Sequence, residues 1–362
     1  MAQRHPDPTD PRSGHAGPAP TGDTLAGYLR AQATEFLRAL RLHRETGSGA
    51  NGPDGSADAA RALRRSARRV SASLHTFQSL LDAEWSDAMR PELAWVSGTL
   101  AMEHAYTARL ERLLTALHRL SGSTALPSQG PVPAAGRPAA GPRTPPAPGA
   151  ERGNLTVGAA KAGALLDRQL TLARTRAHST ALQALGSSRF HAVADRVAVL
   201  ASEVPLTATA TATDLRPLAA AAEDRLRDAV TALPLITAGN PYNAAALIHG
   251  LAPDTAPHPQ DAPWHQVRLL LRLHRYAREA VRGEGTGETA ADPRLRAAGL
   301  ALNRHRDASE AAAAAAQAAR TPRIAPATAY ALGVLHADQR HEVEAARFAF
   351  QQAWQEETVC AS

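Results

Sequence analysis

Residues 264–276 read WHQVRLLLRLHRY, and the pattern of cationic and apolar residues in this stretch indicates how its helix packs in the fold. On a helix that turns about 100° per residue, His265, Arg268, Arg272 and Arg275 share an arc of about 80°, while apolar residues cover most of the remainder. A helix that is apolar nearly all round is largely buried, and burying cations without water is costly. We therefore expect this cationic stripe to face a hydrated groove between packed helices.

A matching cationic stripe lies in the first half of the chain. Arg61, Arg64 and Arg68 repeat the spacing of the first three cations of residues 264–276, and no Asp or Glu occurs over residues 59–81. The further cations of this stretch are Arg65, Arg69 and His75. A solvated helix usually mixes charges of both signs, because ion pairs between neighbouring turns are favourable. A single-sign stripe that occurs twice therefore indicates a surface that holds a polyanion.

Two histidines follow the stripes at comparable distances. His104 and His305 are expected to add hydrogen-bond donors to the groove, and protonated histidine would strengthen anion binding as the pH falls. The alternative is that carboxylates from neighbouring helices already pair with the arginines. The acids available for that role are Glu223, Asp307 and Glu344.

Arginine carries almost all of the positive charge. The formal net charge is +6, and Lys161 is the only lysine. The planar guanidinium fork binds phosphate oxygens in a bidentate manner, which the ammonium of lysine does not do. A genome biased towards Arg and Ala codons is an alternative explanation for this ratio, but it does not explain the two aligned stripes.

Targeting signals and disulfides are not predicted. Cys360 is the only cysteine, so a disulfide framework within the chain is excluded. Residues 1–20 lack the apolar core of a signal peptide, and no run approaches the ~18 apolar residues of a membrane span. We expect a cytoplasmic protein with no membrane partner.

Composition predicts an all-α fold, because alanine, leucine and arginine dominate and alternating β-branched residues are scarce. We expect a disordered tail over residues 1–22, a first helical bundle over residues 23–204 and a second over residues 211–358. Residues 121–153, rich in Pro, Gly and Ala, are expected to be a flexible loop within the first bundle. The stripe lies on the second helix of each set, which predicts two four-helix bundles related by internal duplication, with a basic central groove.

Capping residues and prolines predict the ends of the helices. The expected helices run from Asp23 or Thr24 to Glu45, from Ala59 to Leu81, from Pro91 to Leu120, from Val157 to Leu185 with a continuation over Arg189–Ser202, from Asp214 or Pro217 to Leu233, from Pro263, from Asp292 or Pro293, and from Pro326 to Glu357.

At these residues the chain resembles the CHAD family, the conserved histidine α-helical domain. Trp264-His265-Gln266-Val267-Arg268, with the following Arg272 and Arg275-Tyr276, is similar to the family's repeated helix signature. Further resemblance lies in residues 67–70, 74–81, 302–308 and 331–354. The resemblance covers roughly residues 24–357 and implies two four-helix bundles around a basic groove that binds inorganic polyphosphate.

Two positions depart from the family's pattern. Arg61 stands where the first repeat has histidine, which keeps the charge but removes the titrating group. The family's Arg-Asp pair after the first repeat appears as His104-Ala105, so an orienting carboxylate is missing. The second repeat retains its motif.

The resulting hypothesis is non-catalytic binding of inorganic polyphosphate, with no cofactor, no metal and no catalytic residue. The expected binding residues are Arg61, Arg64, Arg65, Arg68, Arg69, His75, His104, His265, Arg268, Arg272, Arg275 and His305. Polyphosphate granules are an expected location. One alternative is a basic helical nucleic-acid-binding protein, although aromatics for base stacking make up only 4% of the chain. The other is an enzyme acting on polyphosphate or triphosphate, which would need metal-binding carboxylates that are sparse near the stripes.

Overall fold

The predicted all-α class is confirmed. The computed structural model describes residues 19–48, 53–122, 149–235, 238–240, 251, 258–283 and 292–355. Within these ranges the chain forms nine α-helices and no strand. No helix in them combines the length and the apolarity that crossing a bilayer requires.

In chain order the helices are α1 (Gly22–Ser48), α2 (Pro53–Thr76), α3 (Ala83–Leu120), α4 (Gly149–Leu185), α5 (Ser188–Ser202), α6 (Arg216–Thr231), α7 (Ala262–Arg282), α8 (Pro293–Ala319) and α9 (Pro326–Gln355). Short 3-10 turns lie at Gln78–Leu80, Ala210–Ala212 and Pro259–Asp261.

The start of α3 differs from the sequence prediction. Asp82 caps the helix by accepting a hydrogen bond from the backbone N–H of Trp85 at 2.8 Å. Helix α3 therefore begins at Ala83, and Pro91 lies inside it rather than at its first turn. The cap and the burial of Met89 and Leu93 on one face of the helix offset the hydrogen bond that proline cannot donate. Proline alone was the wrong signal for this helix start.

The predicted tail and loop fall mostly outside the described residues. Of the expected tail, residues 1–18 lie outside them, and α1 already begins at Gly22. Of the expected loop, residues 123–148 lie outside them, and α4 begins at Gly149, within the segment predicted to be a loop.

Three apolar clusters form the core. The first joins α1, α2 and α5 to the N-terminal half of α3, with Phe36, Phe77 and Phe190 at its centre. The second joins the C-terminal half of α3 to α4, α8 and α9. The third joins α6 and α7 to α8 and α9 around Trp264 and Phe350. Each fully buried large side chain contributes roughly 1.5–3 kcal/mol relative to exposure.

The second cluster crosses the predicted boundary between the two bundles. Leu113 of α3 and Leu166 of α4 pack with Leu332 of α9, so helices from both halves of the chain share one apolar cluster. The two bundle ranges and the internal duplication stay predictions. The observed packing shows that the halves adhere through buried apolar surface.

Helices α4 and α9 approach closely at Gly158. A Cβ atom at this position would overlap the backbone carbonyl of Ala327 and would lie 3.4 Å from the Cβ of Ala331. Neither a backbone carbonyl nor a buried alanine can rotate away. The missing side chain of Gly158 therefore sets the distance between the two helices.

Replacing Gly158 with alanine is expected to lower the free energy of unfolding by about 1–3 kcal/mol, because α4 must move away from α9. Gly333 on α9 provides the matched control, since a Cβ there would meet nothing within 4 Å. Gly333→Ala is expected to raise stability by up to about 1 kcal/mol through helix propensity. Thermal unfolding followed by circular dichroism measures both. An unchanged or raised melting temperature for Gly158→Ala would contradict the close contact.

Candidate functional site

Four arginines from two helices lie together where α2 packs against α7. Arg64 and Arg68 of α2, and Arg268 and Arg272 of α7, are each partly buried. We call these four the arginine cluster. Arg306 of α8 acts electrostatically on all of them. The stripes from the two halves of the sequence are therefore neighbours in space.

Two members of the arginine cluster donate hydrogen bonds to neutral side chains. Nε of Arg68 donates to the hydroxyl of Ser97 at 2.8 Å, and Nε of Arg268 donates to the side-chain oxygen of Asn303 at 2.8 Å. In the described part of the chain, no carboxylate forms an ion pair with any of the four. The positive charge of the cluster is thus not neutralised by direct contact.

The acids that the sequence offered as alternative partners bind other arginines. Asp307 pairs with Arg306, Glu223 pairs with Arg227 at 3.0 Å, and Glu344 pairs with Arg347 at 2.8 Å. Among them only Asp307 acts on the arginine cluster, where its charge partly offsets the repulsion felt by Arg268.

The charged state of the cluster is under electrostatic stress. Burial, followed by the charges of Arg64 and Arg272, lowers the pKa of Arg68 to about 10. Burial, followed by the charges of Arg306 and Arg272, lowers the pKa of Arg268 to about 9. Both groups remain protonated at neutral pH, because even the lowered pKa values lie well above 7. A bound anion would relieve this stress.

The other cations of the first stripe have different surroundings. Arg61 is exposed and pairs with Asp58, while Arg65 is exposed on the same helix. Arg69 pairs with Glu279 at 2.8 Å, and its guanidinium lies 5.5 Å from the ring centre of Tyr276. Arg69 is therefore already neutralised, although the sequence predicted a binding role for it.

The predicted site histidines of the first half, His75 and His104, are both exposed. Nδ1 of His75 lies 3.1 Å from Nη1 of Arg90. His104 is exposed, and it lies seven residues beyond Ser97 on α3, which places it on the same face of that helix.

Arg275 does not join the arginine cluster. It is exposed and lines a separate small pocket between α7 and α8, together with Glu279, Arg282 and Asp292. Arg275 lies at the edge of the cationic stripe of α7, so its side chain points towards α8 instead of α2.

His265 lies half-buried at the start of α7. Its ring contacts the ring of His305 edge to face at 5.5 Å, and its Nε2 is buried without a hydrogen bond. Burial lowers the pKa of His265, the charge of Asp261 raises it and that of Arg268 lowers it.

A CHAD domain family model matches residues 31–316, which is most of the described chain. The chain belongs to the CHAD family. Among solved structures, PptA from Streptomyces chartreusis has 74% sequence identity and a TM-score of 0.75, covering 93% of this chain and 100% of that one. A comparison with curated proteins finds no match.

In this CHAD protein, His305 is a core residue. It is 1% exposed, stacks on Trp264 with ring centres 5.6 Å apart, and its Nε2 accepts a hydrogen bond from Nε of Arg347 at 3.3 Å. Burial, followed by the charge of Arg347, holds its pKa well below the ordinary value. The ring of His305 is therefore neutral at neutral pH. It packs against the ring of His265 and is too buried to contact a ligand.

A buried polar network joins the start of α7 to α8 and α9. The carboxylate of Asp261 is fully buried just before α7, and it accepts hydrogen bonds from Arg340 at 2.8 Å and 3.2 Å and from Arg347 at 2.7 Å. The hydroxyl of Ser309 on α8 also donates to it. One carboxylate thus ties α7 to α8 and α9, and it fixes the helix that carries Arg268.

Sequence reasoning missed several residues of the site. Ser97, Asn303, Arg306 and Arg90 contact or border the arginine cluster, and their partners come from distant parts of the chain. The spacing of Arg340, Glu344 and Arg347 on one face of α9 was a readable signal, because it places charges of both signs on a face that would otherwise be apolar.

Replacing Asp261 with asparagine is expected to lower the free energy of unfolding by about 3–5 kcal/mol, because the substitution leaves buried Arg340 without a counter-charge among the described residues and Arg347 with Glu344 alone. Urea unfolding measures this loss. Asp224→Asn is the control, since that carboxylate forms an exposed pair with Arg227. A loss for Asp261→Asn no greater than that for Asp224→Asn would contradict the network.

The same carboxylate predicts how stability depends on pH. Burial raises the pKa of Asp261, but hydrogen bonds and charge from Arg340 outweigh it and lower the pKa to about 2. Its contribution is complete above the unfolded value of about 3.9 and is lost as the pH falls towards 2. Urea midpoints of the wild type between pH 5 and pH 2 are expected to show this loss. A flat profile over that window would contradict the assignment.

Proposed function

We propose that this CHAD protein binds inorganic polyphosphate without catalysing its reaction, along a groove lined by the arginine cluster. The observation that carries the proposal is the set of four neighbouring guanidinium groups, none of which forms an ion pair with a carboxylate of the described residues. Such an arrangement is destabilised by its own charge until an anion occupies it. The family's implied ligand is an anion of this kind.

A linear polyphosphate suits the geometry of the cluster. Arg64 and Arg68 are one helical turn apart, as are Arg268 and Arg272, so each helix presents two forks about 6 Å apart along its axis. Each fork can grip two non-bridging oxygens. Release of counterions from the chain adds to the affinity, as it does for nucleic acid backbones. Binding should therefore weaken steeply as salt is added.

Nucleic acid is the rival polyanion. A single-strand binder adds aromatic platforms for its bases, and each stacked base contributes about 1–3 kcal/mol. Tyr276 is the one aromatic residue near the cluster in the described ranges, and it lies against Arg69. The small aromatic content of the chain supports a ligand without bases.

An enzyme acting on polyphosphate is the third class. Metal-assisted phosphate chemistry needs carboxylates that are free to bind a metal ion. Asp307, whose charge acts on Arg268, pairs with Arg306, and Glu310 on the same helix pairs with Arg109. These pairs favour binding over turnover.

On this proposal the protein acts in the cytoplasm, at granules where polyphosphate is stored.

The double variant Arg68→Ala/Arg272→Ala is expected to weaken polyphosphate binding by about 1.5–3 kcal/mol for each lost charged contact. It should also reduce the slope of log affinity against log salt by roughly one for each arginine. Isothermal titration calorimetry at two salt concentrations measures both. The matched control is Arg38→Ala/Arg216→Ala, because these arginines are exposed and pair with Glu35 and Asp214.

Three outcomes would count against this proposal. Absence of binding heat at low salt, or an unaffected double variant, rejects the arginine cluster as the polyphosphate site. DNA that displaces bound polyphosphate at equal charge concentration favours the nucleic-acid alternative. Metal-dependent release of phosphate from the bound chain would establish the enzymatic alternative.

A further inference from the structure

An apolar recess opens between α2, α3 and α7, next to the arginine cluster. Its volume is ≈ 580 Å³, within the range of about 300–1,000 Å³ that is typical of small-molecule sites. Arg68 and Arg272 belong both to this recess and to the arginine cluster. We call this recess the trough.

Polar groups close the trough at both ends. At one end, Arg68 contacts Ser97 at 2.8 Å, and at the other, Arg90 contacts His75 at 3.1 Å. Arg68 and His75 are seven residues apart on α2, so the two ends are about 10 Å apart. This length matches a small organic molecule.

The middle of the trough is apolar. Its accessible walls are Ala94 of α3 and Leu269 and Leu273 of α7, with the hydroxyl of Ser71 on α2 beside them. Leu269 is 43% exposed, so a large apolar side chain is accessible to a ligand in the trough. A phosphate group placed here would meet mostly apolar surface and fewer hydrogen-bond donors than at Arg68 and Arg272. Polyphosphate has no apolar part, so it leaves this surface unused.

The two ends differ in how far their charge is already satisfied. Arg90 pairs with Asp87 at 2.6 Å in addition to contacting His75. Arg68 binds only a hydroxyl, and Arg272 has no ion-pair partner among the described residues. An anionic head group is therefore attracted to the end formed by Arg68 and Arg272.

We propose that the trough binds an organic phosphate monoester, with its apolar ring between Ala94 and Leu269 and its phosphate on Arg68 and Arg272. The site goes beyond polyphosphate binding, because its specificity comes from apolar walls that an inorganic ligand cannot use. Since the two arginines are shared, an organic phosphate and a polyphosphate chain compete for them.

The probe for this site is 1-naphthyl phosphate, whose fluorescence reports binding directly. Inorganic phosphate shares its head group, and 1-naphthol shares its ring. Full-length protein is expected to bind 1-naphthyl phosphate at least about tenfold more tightly than either, because only the monoester gains both the charged contacts and the apolar burial. Affinity no greater than that of inorganic phosphate would overturn the proposal.

Two variants change the trough without removing a cation. Ala94→Phe fills the middle from an exposed position of α3, and Leu269→Ser makes the opposite wall polar. Each is expected to weaken binding of 1-naphthyl phosphate by about tenfold or more and to leave polyphosphate affinity unchanged. Ala160→Phe is the matched control, because Ala160 is exposed on α4 in a different recess. Circular dichroism checks that each variant is folded.

The outcomes separate this site from the proposed function. An equal loss of polyphosphate affinity in Ala94→Phe and Leu269→Ser would make the trough part of the polyphosphate track and overturn the inference. Loss of 1-naphthyl phosphate binding in Ala160→Phe would show that the probe binds elsewhere and would also overturn it. Tight binding of 1-naphthyl phosphate by a protein that fails to bind polyphosphate would leave the trough established and reject the polyphosphate proposal.

Discussion

The buried carboxylate of Asp261 determines where α7 lies. Its contacts with Arg340 and Arg347 of α9 and with Ser309 of α8 connect three helices at one point. Replacing one ion of a buried pair is strongly destabilising, because its partner is left without compensation. The position of α7 in turn places Arg268 and Arg272 beside α2. The basic surface therefore rests on an acid that no ligand can reach.

Packing forces like charges together at the arginine cluster. Apolar residues of α2 and α7, such as Val70 and Val267, are fully buried in the core. Their burial fixes the rotation of both helices, so the cationic faces of α2 and α7 cannot turn away from each other. Burial, followed by the charges of neighbouring arginines, lowers the pKa values of Arg68 and Arg268 and so disfavours their charged forms. The free energy of folding keeps the cations close together despite their repulsion. An anion that binds there reduces this repulsion and stabilises the folded state.

The sequence predicted the parts of the site that follow from helical periodicity. The stripe on α7 and its counterpart on α2 could be read from spacing, and the structure brings Arg64, Arg68, Arg268 and Arg272 together. Periodicity does not tell which carboxylate approaches from another helix. Arg69 is paired with Glu279, and His305 faces the core, because of contacts between residues far apart in sequence. Pro91 misled the assignment of α3 because a capping aspartate outweighs a proline.

The long helices α3 and α4 restrict how a ligand can enter. They contain 38 and 37 residues, so each is about 55 Å long. Leu93 and Leu113 of α3 belong to different apolar clusters, as do Leu166 and Leu185 of α4. A hinge motion that separated the two halves would have to break one of these clusters. The two halves are therefore expected to stay together, so a ligand that reaches the arginine cluster would enter from solvent without a separation of the halves.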